Sequence, residues 1–175
     1  MSQPTGNPFS LADINLALVS IARPTFDLAL AEQFTALVRA ELTQAGLPPG
    51  GPDRMISSLE EAAAVAEMLA HSPPDLLLVF QASFADSTMV LELARAVDAP
   101  LLLWAVPEAR TGGRLRLNSL CGINLGGHAL TRAGYRYETI YAAPDDAAAL
   151  QQVQALAQAG RVRRRLRTPG RSATP

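Results

Sequence analysis

Five short apolar runs, each separated from the next by a stretch of helical periodicity, constrain this chain more than any other feature. They are "INLALVS" (14–20), "MIS" (55–57), "DLLLVFQ" (75–81), "PLLLWAV" (100–106) and "YETIYA" (137–142). Near-continuous apolar strands, unlike alternating ones, belong to a parallel sheet covered on both faces. The intervening segments supply the covers. Residues 26–46 put Leu30, Phe34, Leu37, Val38 and Leu42 on one helical face and end at a capping glycine, Gly46. Ser58 suits the N-cap of the helix that follows it, and further helices are expected over 86–97, 119–133 and 145–159. Right-handed crossovers then predict an α/β three-layer sandwich. Its five-stranded parallel sheet is flavodoxin-like or Rossmann-like, with strand order 2-1-3-4-5 and the 14–20 strand central.

At 175 residues and 49% hydrophobic content, the chain has enough material for one core. The expected organisation is a flexible N-terminus (1–12), a single α/β domain (13–160) and a basic C-terminal tail (161–175). No apolar run approaches the roughly 18–20 residues of a membrane span. "MSQPTGNPFSLAD" lacks the pattern of a signal peptide, so a cytoplasmic protein without membrane contact is expected. The single cysteine precludes an internal disulfide.

All fifteen basic residues are arginines. The absence of lysine excludes Schiff-base catalysis and the P-loop lysine. Six arginines fall within 161–175, so the first 160 residues set nine arginines against sixteen acids, a formal charge of −7. Such a body is a poor match to nucleic acid.

In an open α/β sheet, ligands sit beyond the carboxyl ends of the strands. The first such turn, "SIARPTFD", lacks the glycine spacing of a dinucleotide loop. Arg23 is there either as a contact for an anionic or polyhydroxy ligand or as an exposed loop arginine. The run "FQASFADS" brings Gln81, Ser83 and Phe84 to the same edge. Neutral hydrogen-bonding groups beside an aromatic ring suit a sugar. The same residues also fit a strand end with Phe84 in the core and Asp86 or Ser87 capping the next helix. Trp104 is expected in the core.

The stretch "LNSLCGINLGGHAL" (117–130) holds the lone cysteine and one of two histidines. Asn118 or Ser119 can cap a helix, which puts Cys121 in its first turn. There Cys121 either lines a site or is a small buried residue. No acid lies close in sequence and His128 is two turns away, so no catalytic thiol set can be assembled. The acidic pairs Glu60–Glu61 and Asp145–Asp146 are explained by helix starts, and neither has a histidine at ligand spacing. No metal site is expected within the chain.

Three stretches taken together, "INLALVSIARPTFD", "PDLLLVFQASFADSTMVLELARAVDAPLLLWAVPE" and "RLNSLCGINLGGHALTRAGYRYETIYAAPDD", resemble the N-terminal domain of the L-fucose/L-arabinose isomerase family, over roughly residues 14–165. The resemblance implies a sugar ketol isomerase that interconverts an aldose and a ketose at a manganese ion. It also implies that the metal ligands and proton-transfer acids lie in later domains. The N-terminal domain would cover the substrate, often from a neighbouring subunit. Phe84 falls where the arabinose enzymes place an aromatic lid residue. Cys121 stands where they carry a histidine before the same glycine, a departure that speaks against a polar sugar contact there and points to a different substrate or none.

Three functions follow as expectations. The first is a substrate-covering or assembly domain of a sugar isomerase, without activity or cofactor of its own, that works with a sugar ligand and with further copies or a partner chain carrying the catalytic domains. Its substrate-binding residues would be Arg23, Gln81, Ser83, Phe84, Asn118 and Cys121. The second is a non-catalytic module for a small polyhydroxy metabolite. The third is a structural interaction subunit.

Overall fold

The computed structural model describes residues 11–109 and 112–167. Four strands, β1 (Leu16–Ile21), β2 (Leu76–Gln81), β3 (Leu101–Ala105) and β4 (Glu138–Tyr141), pair in parallel in the order β1-β2-β3-β4. Every residue of the first three is buried, which is why their sequences show no polar alternation. Five helices connect and follow them: α1 (Leu28–Gln44), α2 (Leu59–His71), α3 (Ser87–Ala96), α4 (Ser119–Arg132) and α5 (Ala147–Arg167).

Strand side chains alternate between two cores. Leu16, Leu18, Leu78, Phe80, Leu102 and Trp104 pack with Val38 and Leu42 of α1 and Val153 and Ala157 of α5. Val19, Ile21, Leu77, Val79 and Leu103 pack with residues of α2, α3 and α4. The result is the expected three-layer α/β sandwich. Trp104 is fully buried, and its indole N–H donates to the Ala142 carbonyl at 3.0 Å.

The expected sheet is corrected in strand number and order. It has four strands, not five in the order 2-1-3-4-5, and the first strand lies at the edge. The segment containing "MIS" runs beside β1 but makes only two isolated parallel bridges, Ala17↔Gly50 and Ile21↔Ile56. Between them Pro52 has no N–H to contribute to a ladder. Gly51 turns with φ +98°, and a Cβ there would stand 2.6 Å from the Leu18 carbonyl oxygen. Two apolar residues, Met55 and Ile56, are too few to continue the pairing.

The basic segment also differs from a tail over its first seven residues, which form the last two turns of α5. Arg161, only 4% exposed, meets Asp13 at 2.8 Å, and Arg164 meets the buried Asp75 at 2.7 Å. Arg163 and Arg167 both reach Asp98. The partners lie 65–148 residues upstream, so the sequence shows the cations without their anions. Gly160 makes the approach possible: a Cβ there would lie 1.7 Å from the Asp75 carbonyl oxygen. Residues 168–175 lie outside the described residues, as does the expected flexible N-terminus up to residue 10. Leu11–Asp13 forms one 3-10 turn. Among the described residues, no helix is long and apolar enough to cross a membrane.

Candidate functional site

The carboxyl ends of β1, β2 and β3 are tied together by hydrogen bonds that place the candidate residues. Arg23 follows β1, is exposed, and donates its backbone N–H to Ser83 Oγ at 2.9 Å. Phe84, after β2, is half-buried and donates its N–H to the Leu117 carbonyl at 2.7 Å. Two residues after Leu117, α4 begins, with Cys121 exposed in its first turn. Arg23, Phe84 and Cys121 thus share one edge of the sheet, and the buried alternative for Cys121 does not hold.

Gln81 and Ser83 are brought to the same place but face inward, both with no exposure. The Gln81 backbone carbonyl accepts from Ser119 Oγ, and its side-chain amide lies 3.4 Å from the Gly122 carbonyl. A Cβ on Gly122 would come within 2.7 Å of Gln81 Oε1, so α4 rests directly on this side chain. Within this chain both residues hold the scaffold behind the edge, and neither presents its polar group at the surface.

Asn118 occupies the N-cap of α4 in the left-handed region (φ 52°, ψ 35°), yet its side chain makes no capping bond. Glu108 serves the turn that leads into the helix. Its carboxylate accepts from the backbone N–H groups of Arg116 (2.6 Å), Leu117 (3.1 Å) and Asn118 (2.5 Å). A carboxylate is favoured where N–H groups converge at a helix start. The Asn118 amide is therefore not committed to the helix end.

Phe26, Glu108, Arg114 and Arg116 were not legible as site residues. The Phe26 and Phe84 rings lie 6.0 Å apart at 49°. The Arg114 guanidinium stands 5.5 Å over the Phe26 ring. Arg116 grips Asp27 at 2.6 and 2.9 Å. Asp27 also caps α1, and its carboxyl is held below its ordinary value by the Leu30 N–H first and by Arg116 second. The pairing spans 89 residues, so only the strand order could have signalled it.

Two clefts of about 250 and 290 Å³ open here, one beside Arg23, Ser57, Ser58 and Thr88 and the other between Phe26, Asp27, Arg114 and Arg116. A larger one, about 630 Å³, lies at the opposite end of the sheet among Asp98, Pro100, Tyr135 and Tyr137. It contains none of the candidate residues. The carboxyl-end edge is thus an aromatic and arginine-rich wall, suited to the carbon face and the anionic or hydroxyl groups of a small ligand. Among the described residues it holds no nucleophile–base pair. Among the described residues, no three His, Cys, Asp or Glu side chains are placed to hold a metal ion. The described residues do not fit the manganese that the resemblance implies.

The family model described as fucose/sulfoquinovose isomerase, N-terminal domain, matches residues 17–167. The sulfoquinovose isomerase of Clostridium sp. (strain MSTE9) is 30% identical over 159 residues, covering 89% of this chain and 35% of the relative. That of Alkalicoccus urumqiensis is 29% identical over 143 residues, covering 82% and 32%. That of Priestia aryabhattai is 28% identical over 130 residues, covering 74% and 29%. The chain spans about a third of the length of these curated relatives.

Proposed function

Since this chain belongs to the fucose/sulfoquinovose isomerase family, through that family's N-terminal domain, we propose that it covers and positions the sugar of an aldose–ketose isomerase and does not perform the isomerisation alone. The observation that carries the reading is the gathering of Arg23, Phe84 and Cys121 at one edge of the sheet, inside the matched region. Phe84 supplies an apolar face for the sugar ring. Asn118 is available to its hydroxyls. Gln81 and Ser83 hold the turns that present these groups. The manganese and the groups that move protons between adjacent carbons belong to polypeptide beyond these residues, in the same assembly.

The sugar we favour carries an anionic substituent, such as the sulfonate of sulfoquinovose, the substrate in the relatives' names. Arg23 and Arg114 line the two clefts at this edge, and a sulfonate accepts hydrogen bonds from guanidinium groups as a carboxylate does. A neutral deoxy sugar would leave those cations without a role in recognition.

Two measurements test the reading on the 175-residue chain. In NMR titrations with sulfoquinovose, amide shifts should concentrate around Arg23, Phe84 and Cys121. Saturating sugar should also slow alkylation of Cys121. Shifts confined to the Tyr135–Tyr137 cleft would overturn the site. Sulfoquinovose isomerisation by the isolated chain with manganese, abolished by a chelator, would overturn the division of labour.

A further inference from the structure

The outer face of α5 is the least explained surface of the domain. Its inner face is buried through Ala149, Val153, Ala157 and Gly160. On the opposite side, Ala148, Gln152, Ala155, Ala159, Val162 and Leu166 follow one another at alternating steps of four and three residues, and all six are exposed. Val162 is 44% and Leu166 80% exposed. A solvated helix face carries charge. This one carries none, and its spacing is that of a seam between two helices.

The seam is symmetric about residue 157. Read in reverse from that centre, 148 falls on 166, 152 on 162 and 155 on 159. A second α5 laid antiparallel across a two-fold axis therefore meets every seam residue with another seam residue, as an isologous contact requires. Small alanines at the centre allow close approach, and Val162 and Leu166 fill the ends.

The charges agree with the same arrangement. Between 147 and 167, α5 has five arginines and no acid, while Asp145 and Asp146 stand immediately before its first turn. Antiparallel pairing sets the arginine-rich end of each helix, Arg165 in particular, beside the two aspartates that start the other. Parallel pairing would set arginines against arginines.

We propose that a second copy of this chain covers α5, forming a two-fold antiparallel helix pair centred on Ala155 and Ala159. The inference does not depend on the sugar-covering role, since the seam and the carboxyl-end wall share no residue.

Sedimentation equilibrium at about 100 µM chain reads the association directly, since a Kd near or below about 10 µM leaves most chains paired. Leu166→Glu and Ala159→Glu should each weaken the dimer by at least about tenfold. The circular-dichroism melts of these variants, followed at dilutions where the wild type is monomeric, should be unchanged. In a Cys121→Ser background, Ala155→Cys and Ala159→Cys chains should form a disulfide with each other on mixing faster than either forms one with itself. A wild-type monomer would overturn the proposal, as would a dimer indifferent to both glutamates. Like-with-like cross-links forming fastest would overturn the register. Binding of the monomer's α5 by a downstream segment of a longer form would assign the seam to that segment instead.

Discussion

Gly160→Ala is the sharpest test of how α5 is seated. In an exposed helix interior this change stabilises by about 1 kcal/mol, because alanine has the higher helix propensity. Here the added Cβ would stand 1.7 Å from the Asp75 carbonyl oxygen, 2.8 Å from its carbonyl carbon and 3.2 Å from Pro100 Cγ. Two of these neighbours are backbone at the start of the sheet and cannot rotate away. Restoring van der Waals contact takes a shift of roughly 1.5 Å, which the close-packed interior resists. That shift also stretches the Arg164–Asp75 pair from 2.7 Å and the Arg161–Asp13 pair from 2.8 Å. Overpacking of this kind costs about 1–3 kcal/mol, and weakening the hydrogen bonds of a buried carboxylate adds about 1–3 kcal/mol. After subtracting the propensity gain, the net loss is about 1–5 kcal/mol, or roughly 2–20 °C in Tm for a domain of this size. Thermal and urea melts followed by circular dichroism measure it. Gly113→Ala is the control, since nothing lies within 4 Å of its added Cβ; it should stay within about 0.5 kcal/mol of wild type. A Gly160→Ala protein melting at or above wild type would refute the reasoning.

Glu108→Ala removes the group that satisfies three N–H donors in the turn leading into α4, and should cost about 1–2 kcal/mol in urea unfolding. Glu108→Gln keeps one acceptor oxygen and should lose roughly half as much; equal stability of all three proteins would count against this role of Glu108. Acid should destabilise the fold in a defined window. Asp27 is held below its ordinary value of 3.8 by the Leu30 N–H and Arg116, Asp13 likewise by Arg161, and Glu61 below 4.5 by the Ser57 N–H and Arg54. A carboxyl group depressed in the folded state contributes stability above its ordinary value and loses it as pH falls through the folded value. Melting temperature should therefore decline as pH drops below about 4. Asp27→Asn should shallow the acid slope, and an unchanged slope would remove Asp27 from the account.

The layers of the fold were readable because burial on both faces writes itself into a sequence as uninterrupted apolar runs, and β1 to β3 coincide with such runs, whereas β4 buries one residue of four. The caps at Ser58 and Asp86 were readable because an N-cap acts within two or three residues of itself. The missing fifth strand was not, because one proline and one glycine decide between a ladder and two bridges. Gln81 and Ser83 had the right chemistry for a sugar and the wrong direction. The signal that places Gln81 indoors is the Gly122 and Gly126 pair of α4, which leaves room for it, and its meaning appears only once α4 is known to cross that strand end. Arg23, Phe84 and Cys121 were found together by strand topology, whereas Glu108 holds the turn before α4 from eight to ten residues away, outside any local pattern.

The two borders of the sheet bear on how such a protein survives at high concentration. Unpaired strand edges act as templates on which further chains can add and propagate as fibrils. Along β1, the irregular strip from Gly50 to Ile56 occupies the backbone groups of Leu16, Leu18, Ser20 and Ala22. Its own far side carries a proline and a sharply turned glycine, so it offers an incoming strand no regular row of partners. At the other border, β4 is four residues long, and it begins at Glu138 just after Arg136. A short edge with charges at its mouth is a poor seed. Neither border favours open-ended growth, which leaves the helical layers as the surfaces on which closed, countable assemblies can form.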